Sequence, residues 1–196
     1  FTINCSKVKN IGRLSMSVIK QLFSKLSSLK FKRKTAIQKE TTAQIDILKN
    51  KGFEVLSVTQ TEKANLIMYR HFLDDIPEEE EIRIFIGISV ITSKGRSGRD
   101  PMLKAFFKNN FTTISLEDIE MADSFINQGL GSILLNALLD IAKKRNIRRI
   151  TGEISRVDIG HIERLVHFYE KHNFEVILCS DSADVYKIGD LVWNRS

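Results

Sequence analysis

Between Phe111 and Ser155 the chain has few ways to fold. Residues 111–121 read as a strand and two glycines follow at 129 and 131. The stretch up to Arg145 then carries Ile133, Leu134, Leu135, Ala137, Leu138, Leu139, Ile141 and Ala142. Its polar positions Ser132, Asn136, Asp140 and Lys143 fall on one narrow stripe, which predicts a helix pressed against a sheet with only its outer edge wet. Asn146 and Ile147 alone separate this helix from the next strand, 148–155. Strand, crossover helix and strand in such quick succession make a βαβ-type unit. Its first turn is built from glycine.

The rest of the chain supplies more of the sheet. A helical pattern over about 36–50 stops at Lys51-Gly52, and Phe53–Thr59 alternates as a strand. Residues 65–72 and 81–91 read as two strands joined by the hairpin-like connection 73–79. Lys94–Arg99 is a loop with two glycines, and Asp100-Pro101 predicts the N-cap and first turn of a short helix reaching Asn110. After the βαβ unit, a helix over 162–172 and strands over 174–179 and 183–193 are expected, with Asn173 suited to a left-handed helix stop. A length of 196 residues fits one α/β domain with an appendage.

Charge locates the appendage. The net charge is +6, yet every charged residue from Lys7 to Lys39 is Lys or Arg, so the remainder is mildly acidic. Within this arm Ile11, Leu14, Val18, Leu22, Leu26 and Leu29 recur at helical spacing, which makes a basic amphipathic helix. It has three possible roles: packing on the domain or on a second copy in a homodimer, lying on an anionic membrane, or targeting. The run Lys30-Phe-Lys-Arg-Lys34 makes nucleic-acid contact a further option, although no aromatic platform or known module accompanies it. Cys5 and Cys179 form no CxxC pair, so neither a disulfide framework nor a metal site is expected, and a reducing, cytoplasmic compartment is. No run approaches the roughly 18 apolar residues of a membrane span.

Glycine before a helix lets backbone N–H groups approach an anion. A nucleotide P-loop would need Gly-Lys-Ser/Thr, which is absent, and the dinucleotide fingerprint wants a small residue where Leu134 stands. A third design fits. Gly129-Leu130-Gly131, the strand 148–155 and the box Phe168-Tyr-Glu-Lys-His-Asn-Phe174 come in the order and at the separation of the GNAT acetyltransferases, which residues 111–174 resemble. The resemblance implies the GNAT acyl-coenzyme A N-acyltransferase fold. That fold is a mixed, mostly antiparallel sheet flanked by helices, here over 40–196 behind the basic arm 1–39. It also implies an acetyl-CoA-dependent enzyme that acetylates a primary amine by direct attack, on a small molecule or a peptide. A non-catalytic acyl-CoA sensor or scaffold would share the same turn. Ile126 stands where the family usually has Arg or Gln, and Ile162 where it often has Asn. By the resemblance, amides from Asn127, Gln128, Gly129, Leu130, Gly131 and Ser132 would hold the coenzyme A pyrophosphate, and backbone groups of Ile119 and Met121 its pantetheine arm.

Acetyl transfer from a thioester to an amine needs a base, because an alkylammonium of pKa about 10 has no lone pair. It also needs an acid for the departing thiolate. Tyr169 sits at the family's tyrosine, and a phenol of pKa about 10 keeps its proton at neutral pH. Strict alternation puts Ser115, Glu117, Ile119 and Met121 on one strand face and Leu116, Asp118 and Glu120 on the other. Glu117 is the candidate base, with Glu120 or water in reserve. His161, His167 and His172 are expected to be ordinary, partly exposed residues, and the segment 93–110 to wall the acceptor pocket.

Overall fold

The computed structural model describes residues 16–72, 77, 79–179 and 186–195, apart from the side chains of residues 16–20, 22, 23, 26, 27 and 30. Cys5, the start of the predicted arm helix and most of the 73–79 connection lie outside them. Three helices, α1 (Met16–Asn50), α2 (Leu130–Lys144) and α3 (Ile162–Glu170), flank one sheet. Its strands are β1 (Phe53–Gln60), β2 (Ala64–His71), β3 (Arg83–Thr92), β4 (Gly95–Arg96), β5 (Met102–Lys108), β6 (Thr113–Glu120), β7 (Arg149–Ser155), β8 (Glu175–Leu178) and β9 (Lys187–Asn194). The order is β1-β2-β3-β5-β6-β7-β9-β8, with the short β4 beside β3. Every pairing is antiparallel except β6 with β7.

Period-two burial divides the core between the two faces. Ile84, Ile86, Ile88 and Val90 of β3 pack with Leu130, Leu134, Leu135 and Leu138 of α2 on one face. Ile91 packs on the other with Ile67, Tyr69 and the α1 residues Ile37 and Leu48. Each fully buried Leu or Ile contributes about 1.5–3 kcal/mol, so α2 is the most firmly seated helix.

The two helical patterns at the N-terminal end are one helix, for α1 runs unbroken through residues 30–39. Ile37, Thr41, Gln44 and Leu48 are its buried positions, and it packs on β1 to β4. Ahead of Ile37 every described side chain is exposed, Leu29 and Phe31 among them. Among the described residues no helix is long and apolar enough to cross a membrane.

The helix expected after Asp100-Pro101 is the strand β5. Leu103, Ala105 and Phe107 alternate inward, and the Pro101 carbonyl accepts from the Ile88 amide at 3.0 Å, which extends the sheet. Asp100 does not cap a helix. Its carboxylate accepts from the Tyr69 hydroxyl at 2.8 Å and from Arg96 Nε at 3.1 Å, and pairs with Arg96 Nη2 at 2.9 Å.

The hydroxyl-bearing end of the Tyr69 ring lies against Gly87 of β3, so a Cβ there would clash with Cζ, the hydroxyl oxygen and Cε2. The ring is buried and anchored at its hydroxyl, and it has little room to yield. Gly87→Ala is therefore expected to cost about 1–3 kcal/mol, read as a lower denaturation midpoint at unchanged slope. An unchanged midpoint would show that the ring moves freely.

Candidate active site

The one parallel pair sets the site. β6 and β7 pair only from Thr113↔Arg149 to Leu116↔Gly152, and past that rung the strand ends have no rung between them. Both carboxyl ends point the same way, one leading to α2 and the other to α3.

A bulge lies at the point of divergence. Opposite β5, Leu116 pairs with Ala105 and Asp118 with Lys104, so Glu117 has no partner. The extra residue overturns strict alternation: Ile119 lies opposite Leu103, on the core face with Leu116, while Asp118 and Glu120 fall on the outer face. Glu117 and Asp118 are both exposed, and the Ser115 hydroxyl donates to Glu117 Oε1 at 2.7 Å.

At the mouth of α2, Asn127 and Gly129 have positive φ, 62° and 77°. No protein atom lies within 4 Å of a Cβ placed on Gly129, so its backbone conformation and not crowding asks for glycine. The first intrahelical bond runs from the Ile133 amide to the Gly129 carbonyl, which leaves the amides of Leu130, Gly131 and Ser132 ahead of the helical ladder. Gln128 turns back, one N–H of its side chain donating to the Ser124 carbonyl at 2.6 Å. Phe168 of α3 packs 3.4 Å from where a Gly131 Cβ would stand. His172 is buried, not partly exposed as expected, and its Nε2 lies 3.0 Å from the Ser132 hydroxyl. Burial, with Lys171 adding to it, pushes the imidazole below its usual pKa and keeps it neutral.

Tyr169 is only 9% exposed, and no hydrogen bond to its hydroxyl occurs among the described residues. Burial first, then the carboxylates of Asp158 and Asp118, push its pKa above the ordinary phenol value, so the phenol holds its proton. Burial and then Glu120 raise the pKa of Asp118 from its ordinary value. Glu120 itself is bonded by Lys104 and by Arg99, and the Lys104 hydrogen bond leads in lowering its pKa. A base needs the opposite shift, so Glu120 is a poor reserve.

A cleft of about 520 Å³ opens at the divergence, with Ser115, Glu117, Glu153, Tyr186, Lys187 and Asp190 on its walls. The segment 93–110 contributes nothing to it. Arg99 and Asp100 line a separate hollow of about 400 Å³ beside Glu120–Ala122. Sequence reading missed Asp118 and Asp158 near Tyr169, and it missed the whole β9 wall. The bulge leaves no mark in a pattern of alternation, and β9 reaches β7 only through the folded sheet.

Residues 101–174 match the sequence model of the Acetyltransferase (GNAT) family. An uncharacterized protein of Bacillus subtilis (strain 168), YocC, is 43% identical over 67 residues, which is 34% of this chain and 38% of that protein. Among solved structures, the PaiA N-acetyltransferase of Thermoplasma acidophilum in complex with coenzyme A is similar at 15% identity, with 58% of this chain and 62% of that one covered and a TM-score of 0.44. A GNAT family acetyltransferase of Elizabethkingia anophelis with acetyl-CoA bound gives 12% identity, 66% and 98% coverage and a TM-score of 0.46. The alignments thus span well under half of the Bacillus protein and less than two thirds of the Thermoplasma enzyme.

Proposed function

On the premise that residues 101–174 form a GNAT family acetyltransferase domain, we propose that the chain moves an acetyl group from acetyl-CoA to a primary amine by direct attack. The observation that carries this reading is the set of amides of Leu130, Gly131 and Ser132 ahead of the α2 ladder, at the same end of the sheet as the β6–β7 cleft. These donors and the positive end of α2 suit a pyrophosphate. Asn127, Gln128 and Gly129 shape the approach, and the backbone at Ile119 in β6 and at Met121 just past its end is free of β7 for an extended arm.

The cosubstrate supplies a thioester carbonyl and a thiolate leaving group. Glu117, reached through the cleft, takes the proton of the incoming ammonium, with Asp118 next to it as the alternative base. Once that first proton has passed on to solvent, the amine nitrogen bonds to the carbonyl carbon as the carbon–sulfur bond breaks, and the nitrogen gives its remaining surplus proton to the same carboxylate. Tyr169 gives its proton to the sulfur and regains one through solvent from the carboxylate.

Free thiol released from acetyl-CoA, measured across a panel of primary amines, tests this. Release is expected only when an amine is present, with no acetylated protein in the mass spectrum. Glu117→Gln is expected to lower kcat/KM about 100-fold, the scale of a lost general base, and Asp118→Asn less. Tight coenzyme A binding with no turnover on any amine would leave a binding module instead.

A further inference from the structure

We infer that the acceptor is a primary amine with a second positive charge, of the diamine or polyamine class; this rests on the acyl-transfer reading above. The cleft opens on the sheet face away from α2 and α3. On β7 the wall residue Glu153 alternates with the buried Gly152 and Ile154, and it pairs with Asp190 of β9. α1 covers this face at β1 to β3 and makes no comparable contact with β6 to β9. An acceptor can therefore reach the gap from one face while the α2 amides lie toward the other.

The charge on the cleft wall is net negative. Glu117, Glu153 and Asp190 line the cleft, and among the described residues Lys187 is the one cation on its wall. Lys187 Nζ is 2.7 Å from Asp190 Oδ1 and 3.2 Å from Glu153 Oε1, so it cancels one carboxylate and leaves an excess of two negative charges. Outside the cleft wall, the nine-tenths buried Tyr169 phenol has no hydrogen-bond partner among the described residues, and the carboxylates of Asp158 and Asp118 both act on it. By the acyl-transfer reading the phenol marks where the reacting atoms come, and Asp158 and Asp118 are the two carboxylates that act on it.

A cleft of this sign concentrates cations and repels carboxylate- or phosphate-bearing amines. A lone ammonium would be attracted too, but the field that attracts it also opposes its deprotonation. A second ammonium removes the conflict. The remote charge sits beside Glu153 and Asp190, a pair that keeps one negative charge in excess of Lys187, and the like charge on the same molecule eases proton loss from the reacting nitrogen.

The test uses the intact chain and thiol release from acetyl-CoA, comparing cadaverine and spermidine with pentylamine and with glutamate. Cadaverine or spermidine is expected to exceed pentylamine in kcat/KM by about ten-fold or more at low salt, with the ratio shrinking as salt screens the wall. Joint replacement of Glu153→Gln and Asp190→Asn is expected to raise the KM for cadaverine about ten-fold while the KM for acetyl-CoA holds. Pentylamine or glutamate serving as well as the diamines, or a cadaverine KM indifferent to the double variant, would overturn the inference and leave acyl transfer standing. No turnover with any amine would overturn both, and calorimetry with coenzyme A then separates a failed reaction from a failed cofactor site.

Discussion

Replacing Gly131 by aspartate is expected to weaken coenzyme A binding about 100-fold while the fold stands. Gly131 lies in the first turn of α2 on helical backbone, and a Cβ there meets only Phe168 and Met121 at ordinary contact distances. Aspartate is a better helix residue than glycine, and its charge in the first turn is favourable to the helix dipole by about 0.3–1 kcal/mol. The same charge placed about 5 Å from a bound pyrophosphate costs about 3 kcal/mol at an effective dielectric constant near 20, which is about 100-fold in Kd. Stability and affinity should thus move in opposite directions. Calorimetric titration beside a thermal melt reads both. An affinity that survives the substitution would mean the anion binds elsewhere.

Tyr169→Phe should have the second large effect, a fall in kcat of about 100-fold or more with coenzyme A affinity unchanged. The hydroxyl has no partner among the described residues, so its removal should leave the melting temperature level or slightly higher. A purely structural tyrosine would give the reverse pattern, with activity kept and stability changed. The raised pKa of the phenol adds a constraint: its ionisation should not appear as a limb of the rate profile at neutral or mildly alkaline pH. Single-turnover rates of thiol release with a saturating amine separate these outcomes.

Physical reasons decide which parts of this molecule were legible in its sequence. α2 could be read because burial on a sheet forces its leucines onto most of its surface, and the glycine turn because φ of 77° at 129 favours glycine. The segment after Pro101 was misread: Asp100-Pro101 has the form of a helix start, but the alternation of Leu103, Ala105 and Phe107 prevails once β3 and β6 lie on either side. The bulge at Glu117 was invisible because one unpaired residue changes the faces of Asp118 and Ile119 without changing any residue type. The acidic wall was invisible for another reason. Glu117, Glu153 and Asp190 come from three strands, and only the order β6-β7-β9 makes them neighbours.

The contact on which acyl transfer depends can be observed at the atoms involved. Coenzyme A is titrated into the isotope-labelled intact chain, and the backbone amide resonances are followed by nuclear magnetic resonance. The expected result is that Leu130, Gly131 and Ser132 shift together and saturate with one equivalent, while the amides of α1 stay still. Coenzyme A leaving those three resonances unmoved, or shifting only amides remote from the start of α2, would contradict it.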